Sequence, residues 1–334
     1  MNILIIKLGA IGDVLRTTGI LKGLHKKYGN PRIYWISKPE SFQFLEKIHL
    51  IHKVLTIEES NHILDLDFEV VISLDDEEEA CRLASQTKRK SLVGAYIGEN
   101  GKRTYTKSEW FDMSLLGGPD RDELKKKNKK TFQQHMAEML SIENTNMEPM
   151  LVLSDNESKF QKKFKEENQI NDKEFLVGIN TGAGGRWQYK KLGEEKTANL
   201  INSIYDNFGY KSILLGGPEE SERNSRIISK ITVPFINAGT NNNIMEFATI
   251  IDCCCLLISS DSLAIHIGTA LKKQVIAFFG PTSMSEIDIF GRGKKITPAM
   301  NCLCCYKRTC DFNPACMQLI NVDQILQTIK EIPL

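Results

Sequence analysis

Short apolar runs recur along nearly the whole chain, separated by helical stretches, and they come in two rounds. The first round holds ILII within Asn2–Lys7, RIYWIS (Arg32–Ser37), VLTI (Val54–Ile57), EVVISL (Glu69–Leu74) and LVGAYI (Leu92–Ile97). Each is too short to be a stable helix alone, and their alternation with helical patterns indicates βαβ units around a parallel sheet. From about Gly98 the pattern weakens. Residues 142–172 are polar and charged, with Pro149 and a Lys/Glu-rich helix candidate, Glu157–Glu167. The alternation then restarts with FLVGIN (Phe175–Asn180), SILLGG (Ser212–Gly217), PFINAG (Pro234–Gly239), CLLISS (Cys255–Ser260) and VIAFFG (Val275–Gly280). A chain of 334 residues exceeds what one core usually serves. The expectation is an α/β protein of two domains, residues 1–155 and 156–319, with a ligand in the cleft between them.

Composition removes several function classes. Apolar residues make up 41% and charged residues 25%, which suits a globular protein and not a disordered one. A net charge of +1 supplies no basic field for nucleic acid. Lys7 and Asp13 interrupt the first apolar run, so no signal peptide is expected, and no stretch approaches the roughly 20 apolar residues of a membrane span. Nine cysteines in such a chain point to a reducing, cytoplasmic setting, with thiols free or metal-bound. The run Lys125–Lys130 (KKKNKK) reads either as a solvated face or as a patch meeting an anionic acceptor or membrane surface.

The opening segment, MNILIIKLGAIGDVLRTT, places Gly9 and Gly12 between a strand and a helix that begins near Asp13. Backbone N–H groups and a positive dipole end meet solvent at such a turn. This one adds a carboxylate, Asp13, with Arg16 one turn later, so it reads as a place where a proton is removed. Asp13 could equally cap the helix, since Asp favours that position. The G-x-x-G-D spacing lacks the middle glycine of a dinucleotide fingerprint, and RIYWIS is followed by Lys38 instead of an acid, which argues against NAD.

Four strand ends of the second half carry polar residues before a helix, where open α/β sheets bind ligands. Asn180–Lys191 (NTGAGGRWQYKK) offers Thr181, glycines including Gly182, and Lys190 or Lys191, without the spacing of a P-loop. Leu215–Arg223 supplies Glu219, Glu220 and Glu222, at least two of them explained by the helix dipole and one able to hold a ribose diol. Ile258–Ala270 brings Asp261, Ser262 and His266 to one helix start, suited to an anion. Phe278–Ser283 sets Gly280, Pro281 and Thr282 in a tight turn. Beyond these, Cys302, Cys305, Cys310 and Cys316 gather within fifteen residues, a density that suits structural Zn²⁺ or an iron–sulfur cluster, with free buried thiols as the plain alternative.

Taken together, K-L-G-A-I-G-D-V-L-R-T-T, N-T-G-A-G-G-R-W-x-x-K, S-D-S-L-A-I-H-I-G-T-A-L and F-F-G-P-T make the chain resemble the family-9 glycosyltransferases, the lipopolysaccharide heptosyltransferase group. The resemblance implies a GT-B fold of two Rossmann-like domains, the N-terminal one for the acceptor and the C-terminal one for a nucleotide sugar. It also implies a last helix crossing back to the first domain, for which Ile320–Ile332 is the candidate. It gives Asp13 the role of general base and, with Gly12 and Arg16, contact with the acceptor. Lys190 takes the donor phosphate. Thr181, Gly182, Asp261, Ser262, His266, Gly280, Pro281 and Thr282 line the donor, and Glu219 or Glu222 holds its ribose or base. Leu263 stands where the family commonly has glycine. The implied reaction is inverting transfer of a heptose from an ADP-sugar to a glycolipid or other glycan, with no catalytic metal or other cofactor, in the cytoplasm or at the inner face of its membrane. The cysteines are then structural. A nucleotide-sugar epimerase or hydrolase and a non-catalytic glycan- or nucleotide-binding protein remain the alternatives.

Overall fold

In the computed structural model, residues 1–185 and 188–332 are described, the side chain of Gln188 excepted. The chain forms two compact units: Met1–Val152 with Ser285–Asp288, and Leu153–Met284 with Ile289–Leu334.

The first unit is built on β1 (Asn2–Ile6), β2 (Arg32–Ile36), β3 (Lys53–Leu55), β4 (Phe68–Ser73), β5 (Arg89–Ile97) and β6 (Arg103–Tyr105), in the order β3-β2-β1-β4-β5-β6. All neighbours run parallel except β5 and β6. Side chains alternate between two buried faces. Ile3, Ile5, Trp35, Val70 and Ile72 pack on one, and Leu4, Ile6, Tyr34, Ile36 and Val71 on the other. Strands apolar on both sides are the signature of a parallel sheet covered by helices.

The second unit repeats the plan with β7 (Leu176–Asn180), β8 (Lys211–Leu215), β9 (Phe235–Asn237), β10 (Leu256–Ser260), β11 (Gln274–Phe278) and β12 (Gly293–Ile296). Their order, β12-β11-β10-β7-β8-β9, is the same doubly wound arrangement, here wholly parallel. In each sheet the winding reverses beside its first strand, between β1 and β4 and between β7 and β10. A doubly wound sheet opens its ligand crevice beyond the strand ends at that point.

The last helix, Val322–Glu331, groups with the second unit, where the resemblance had implied a helix crossing to the first. Its buried Ile325 and Ile329 join Val177, Leu200, Ile204 and Ile258 in one core, against helix Glu194–Phe208. Lys196 of that helix donates to the carbonyls of Gln318 and Ile320, 2.5 and 2.6 Å away, and fixes the approach. Burying an isoleucine stabilises by about 1.5–3 kcal/mol, so the helix gains most by staying on its own sheet. The later segment that groups with the first unit is Ser285–Asp288, where the Phe132 amide donates to the Glu286 carbonyl at 3.0 Å. Among the described residues, no helix is long and apolar enough to cross a membrane.

Candidate functional site

At the first switch point, Lys7 follows β1 and Asp75 follows β4. Their side chains form an ion pair, with 8% and 10% of their surfaces exposed. Asp75 also accepts from the Leu8 amide and, at 3.1 Å, from the Gly9 amide. A carboxylate collecting one ammonium and two backbone N–H groups is firmly held. It clamps the turn that launches helix Ile11–Thr17. The sequence reading gave neither residue a role at this turn, since only the fold brings positions 68 apart in sequence together.

Asp13 is not a cap. The capping position is Ala10, and Asp13 is the third residue of the helix, inside its first turn, where the positive dipole end favours an anion. Its side chain is 36% exposed, and Arg16 reaches its Oδ1 at 2.9 Å. Gly12 is buried in the same turn. Arg16 is buried as well, its guanidinium carbon 4.1 Å from the Phe132 ring centroid and 5.6 Å from that of Trp110.

In the second unit the ends of β7 and β10 are tied together. Asn180 Nδ2 lies 3.0 Å from Ser259 Oγ, 3.1 Å from Ser262 Oγ and 2.8 Å from the Gly182 carbonyl. Ser262 is the capping residue of helix Leu263–Ala270, yet its hydroxyl faces back to Asn180 and Ser259 and makes no capping bond. Lys190 Nζ donates to Asp261 Oδ2 at 2.7 Å and lies 3.3 Å from the Asp261 carbonyl. Burial pushes the Asp261 carboxyl up, but the Lys190 ammonium outweighs it. With His266 and Thr282 nearby, Asp261 is held below the usual carboxylate range. The Thr282 hydroxyl stands beside it without closing a well-formed hydrogen bond. His266 is buried in the first turns of the same helix. Lys190, Asp261, Ser262, His266 and Thr282 therefore assemble at the second switch point.

Other expected residues do different work. The Thr181 hydroxyl is buried, 2.7 Å from Asn224 Oδ1 and 3.0 Å from the Leu215 carbonyl. Glu222 is 93% exposed and approaches Arg226 at 3.8 Å. Glu219 is exposed, its carboxylate beside Gly185. The buried acid of that turn is Glu220, paired with Lys191 at 2.8 Å and accepting from the Gly217 amide at 3.1 Å. A side chain at Gly182 would meet the Glu220 carboxylate at 2.9 Å, so glycine is needed there for packing. The K-K doublet thus divides its partners, Lys190 to Asp261 and Lys191 to Glu220. Arg186 and Trp187 of the same run lie outside the described residues.

The carbonyls of Gly280 and Pro281 accept from the amides of Cys304 and Tyr306 at 2.9 and 2.8 Å, so this turn anchors the cysteine segment. Cys302, Cys305, Cys310 and Cys316 line one small cavity of about 60 Å³ with Tyr189, Pro281 and Phe312. Burial raises the Cys316 thiol, and the three other thiols add to the effect. Four sulfurs on one tetrahedral ion lie about 3.8 Å apart, given a metal–sulfur bond of about 2.3 Å. Among the described residues no three thiols come within 4.8 Å of one another. The thiols surround a common space, yet they are not spaced for a single ion.

Glu109, His135 and Glu138 do meet that spacing. There the Lys130 ammonium already bridges the two carboxylates at 2.8 and 2.7 Å, so the charge is met internally. Helix Arg121–Lys127 has no buried residue, and Lys126 pairs with Glu123 at 2.8 Å, in keeping with a solvated face.

Two doubly wound sheets, with an acid in the first turn of one and a cation beside an uncapped helix start in the other, define a GT-B type glycosyltransferase scaffold. The sequence model of glycosyltransferase family 9 (heptosyltransferase) matches residues 121–316, and the chain belongs to that family. It is 23% identical over 186 residues to lipooligosaccharide heptosyltransferase 2 of Campylobacter jejuni subsp. jejuni serotype O:6. That match spans 52% of this chain and 56% of the relative, about half the length of each. Among solved structures, a family 9 glycosyl transferase from Veillonella parvula DSM 2008 superposes with a TM-score of 0.80 at 18% identity, covering 99% of this chain and 96% of that one. The dodecameric iron-containing heptosyltransferase TibC, in complex with ADP-D-β-D-heptose, gives 0.59 at 11% identity, covering 99% and 75%.

Proposed function

We propose that this protein transfers a heptose from ADP-heptose to a lipopolysaccharide-core or related glycolipid acceptor, with inversion and without a catalytic metal. One observation carries the reading. The N-terminus of helix Leu263–Ala270 lacks a side-chain cap and is flanked by Lys190 and His266, which makes a built seat for a diphosphate. The donor class is supported by the ADP-heptose bound in TibC. In the reaction the acceptor hydroxyl oxygen attacks the anomeric carbon, and its proton passes to Asp13. The bond to the diphosphate breaks, and ADP leaves with the electron pair. Lys190 and the helix amides stabilise the charge that gathers on it. Single displacement inverts the anomeric centre. Thermal melting with ADP, ADP-heptose and UDP-sugars tests the donor assignment. ADP and ADP-heptose should raise the melting temperature of the parent protein and not of Lys190→Met. A UDP-sugar that stabilises where ADP-heptose does not overturns it.

We also propose that Cys302, Cys305, Cys310 and Cys316 hold a structural iron centre. Their shared cavity and the iron in TibC support it. Metal and acid-labile sulfide analysis of protein purified without chelator should find iron. Protein lacking metal, with a melting temperature indifferent to chelator, removes the idea.

A further inference from the structure

We infer that Arg16 is a positioning residue that holds the Asp13 carboxylate in place, and not a contact for the acceptor; the inference rests on Asp13 acting as the base. The geometry leaves little else for it to do. Its guanidinium reaches Asp13 Oδ1 at 2.9 Å from one turn further along the same helix. Only 9% of the side chain meets solvent, against 36% for Asp13, so the acid can be reached and the arginine is shut in behind it. The guanidinium carbon also lies 4.1 Å from the Phe132 ring centroid and 5.6 Å from that of Trp110. The two rings meet edge to face, their centroids 5.1 Å apart. A planar cation stacked on an aromatic face is stabilised there and loses rotational freedom. Phe132 itself is fixed as the first residue of helix Phe132–Leu140, whose start is closed by a reciprocal Thr131–Gln134 capping box. Buried Nε has no hydrogen-bond partner among the described residues. An arginine retained at that cost is serving its terminal nitrogens, and the partner they reach is Asp13.

Such a wall fixes the orientation in which the carboxylate meets the incoming hydroxyl. A base held to one orientation gains most when a misplacement of about 1 Å costs about 10²-fold in rate. Lysine cannot replace the contact, because its ammonium has no flat face to stack.

The test is steady-state transfer from ADP-heptose to purified lipooligosaccharide core, with release of ADP to water in the absence of acceptor as a second readout. Arg16→Ala should lower kcat about 10²-fold with the acceptor KM unchanged. Millimolar guanidinium should restore part of that loss. Arg16→Lys should stay low. Phe132→Leu, which keeps the arginine and removes the ring beneath it, should lower kcat about 10-fold. A raised acceptor KM with kcat intact would make Arg16 an acceptor contact and overturn the inference. Loss of activity in step with melting temperature, with no response to guanidinium, would make it merely structural and overturn it too. Asp13→Asn separates the two readings: it should be inactive with or without guanidinium. If it turns over normally, the base assignment fails first and takes this inference with it.

Discussion

The two units share a topology, and each places a lysine–aspartate pair at the point where its sheet reverses. The pairs are used differently. Lys7–Asp75 is sealed, and the carboxylate is held by Lys7 and the amides of Leu8 and Gly9. Lys190–Asp261 is somewhat more open, at 12% and 16% exposure, and it stands beside a helix start with no side-chain cap. In the first unit the pair builds the loop, and Asp13, the base of the proposed reaction, lies one step further on. In the second the pair lies beside the helix start proposed above as the diphosphate seat. One scaffold therefore yields a closed turn in one copy and a more open lysine in the other. The difference comes from where the carboxylate finds its remaining hydrogen bonds.

The sharpest way to break this comparison is Asp13→Asn. It should cost about 10²–10⁴ in kcat with the fold retained, because Asp13 is not the capping residue of its helix and the amide oxygen can still accept from Arg16. A variant that melts early and turns over normally would return Asp13 to a structural role. Asp75→Asn should do the opposite. Leaving Lys7 buried without its partner should destabilise the protein by about 3–5 kcal/mol in chemical denaturation. The double change Lys7→Met with Asp75→Leu should recover much of that loss, since apolar replacement of a buried pair is commonly neutral. If Asp75→Asn is as stable as the parent, the clamp reading of the first switch point is wrong.

The sequence made the architecture legible because parallel strands buried on both faces read as dense apolar runs, and ten of the twelve strands among the described residues carry one. The two it missed, Arg103–Tyr105 and Gly293–Ile296, are edge strands with polar residues, where one face and one side remain wet. The grouping of polar residues in the second unit was legible for a related reason. Asp261, Ser262 and His266 are local to one strand end, where the sequence alone places them side by side. What was not legible depends on distance in sequence. A K-K doublet and an E-E pair look interchangeable on paper; burial alone chose Glu220 over Glu219 and Glu222 and sent Lys191 to it. The grouping of the last helix was not legible because an amphipathic pattern says that a face is buried, without saying against what. Its Ile325 and Ile329 found the nearest open apolar surface, on their own sheet.

Two smaller effects sharpen the contrast from the side of the second unit. Lys190→Met should weaken ADP binding about 10–10²-fold by calorimetry, the range for a hydrogen bond to a charged group, and lower the unliganded melting temperature as well, because the buried Asp261 carboxylate loses its partner. Lys190→Arg should retain more affinity than Lys190→Met, because the charge survives. An ADP affinity untouched by Lys190→Met would move the phosphate seat elsewhere in the second unit.

The smallest expected effect is one of pH. Asp261 is held below the ordinary carboxylate range by Lys190, against the upward push of burial. In acid the unfolded chain therefore takes up this proton before the folded one does. The pair contributes stability above the ordinary carboxylate range and loses it as pH falls through the lowered value in the fold. Melting curves from about pH 5 to about pH 2 should show the parent losing stability that Asp261→Asn does not lose, since the amide has no proton to gain. The outcome discriminates because Asp261→Asn should also blunt ADP binding by freeing Lys190 from its orientation, whereas Asp75→Asn should leave the donor affinity of the folded protein alone. Acid curves that superimpose for the parent and Asp261→Asn would mean that the second pair is a bystander, and the contrast between the two switch points would rest on exposure alone.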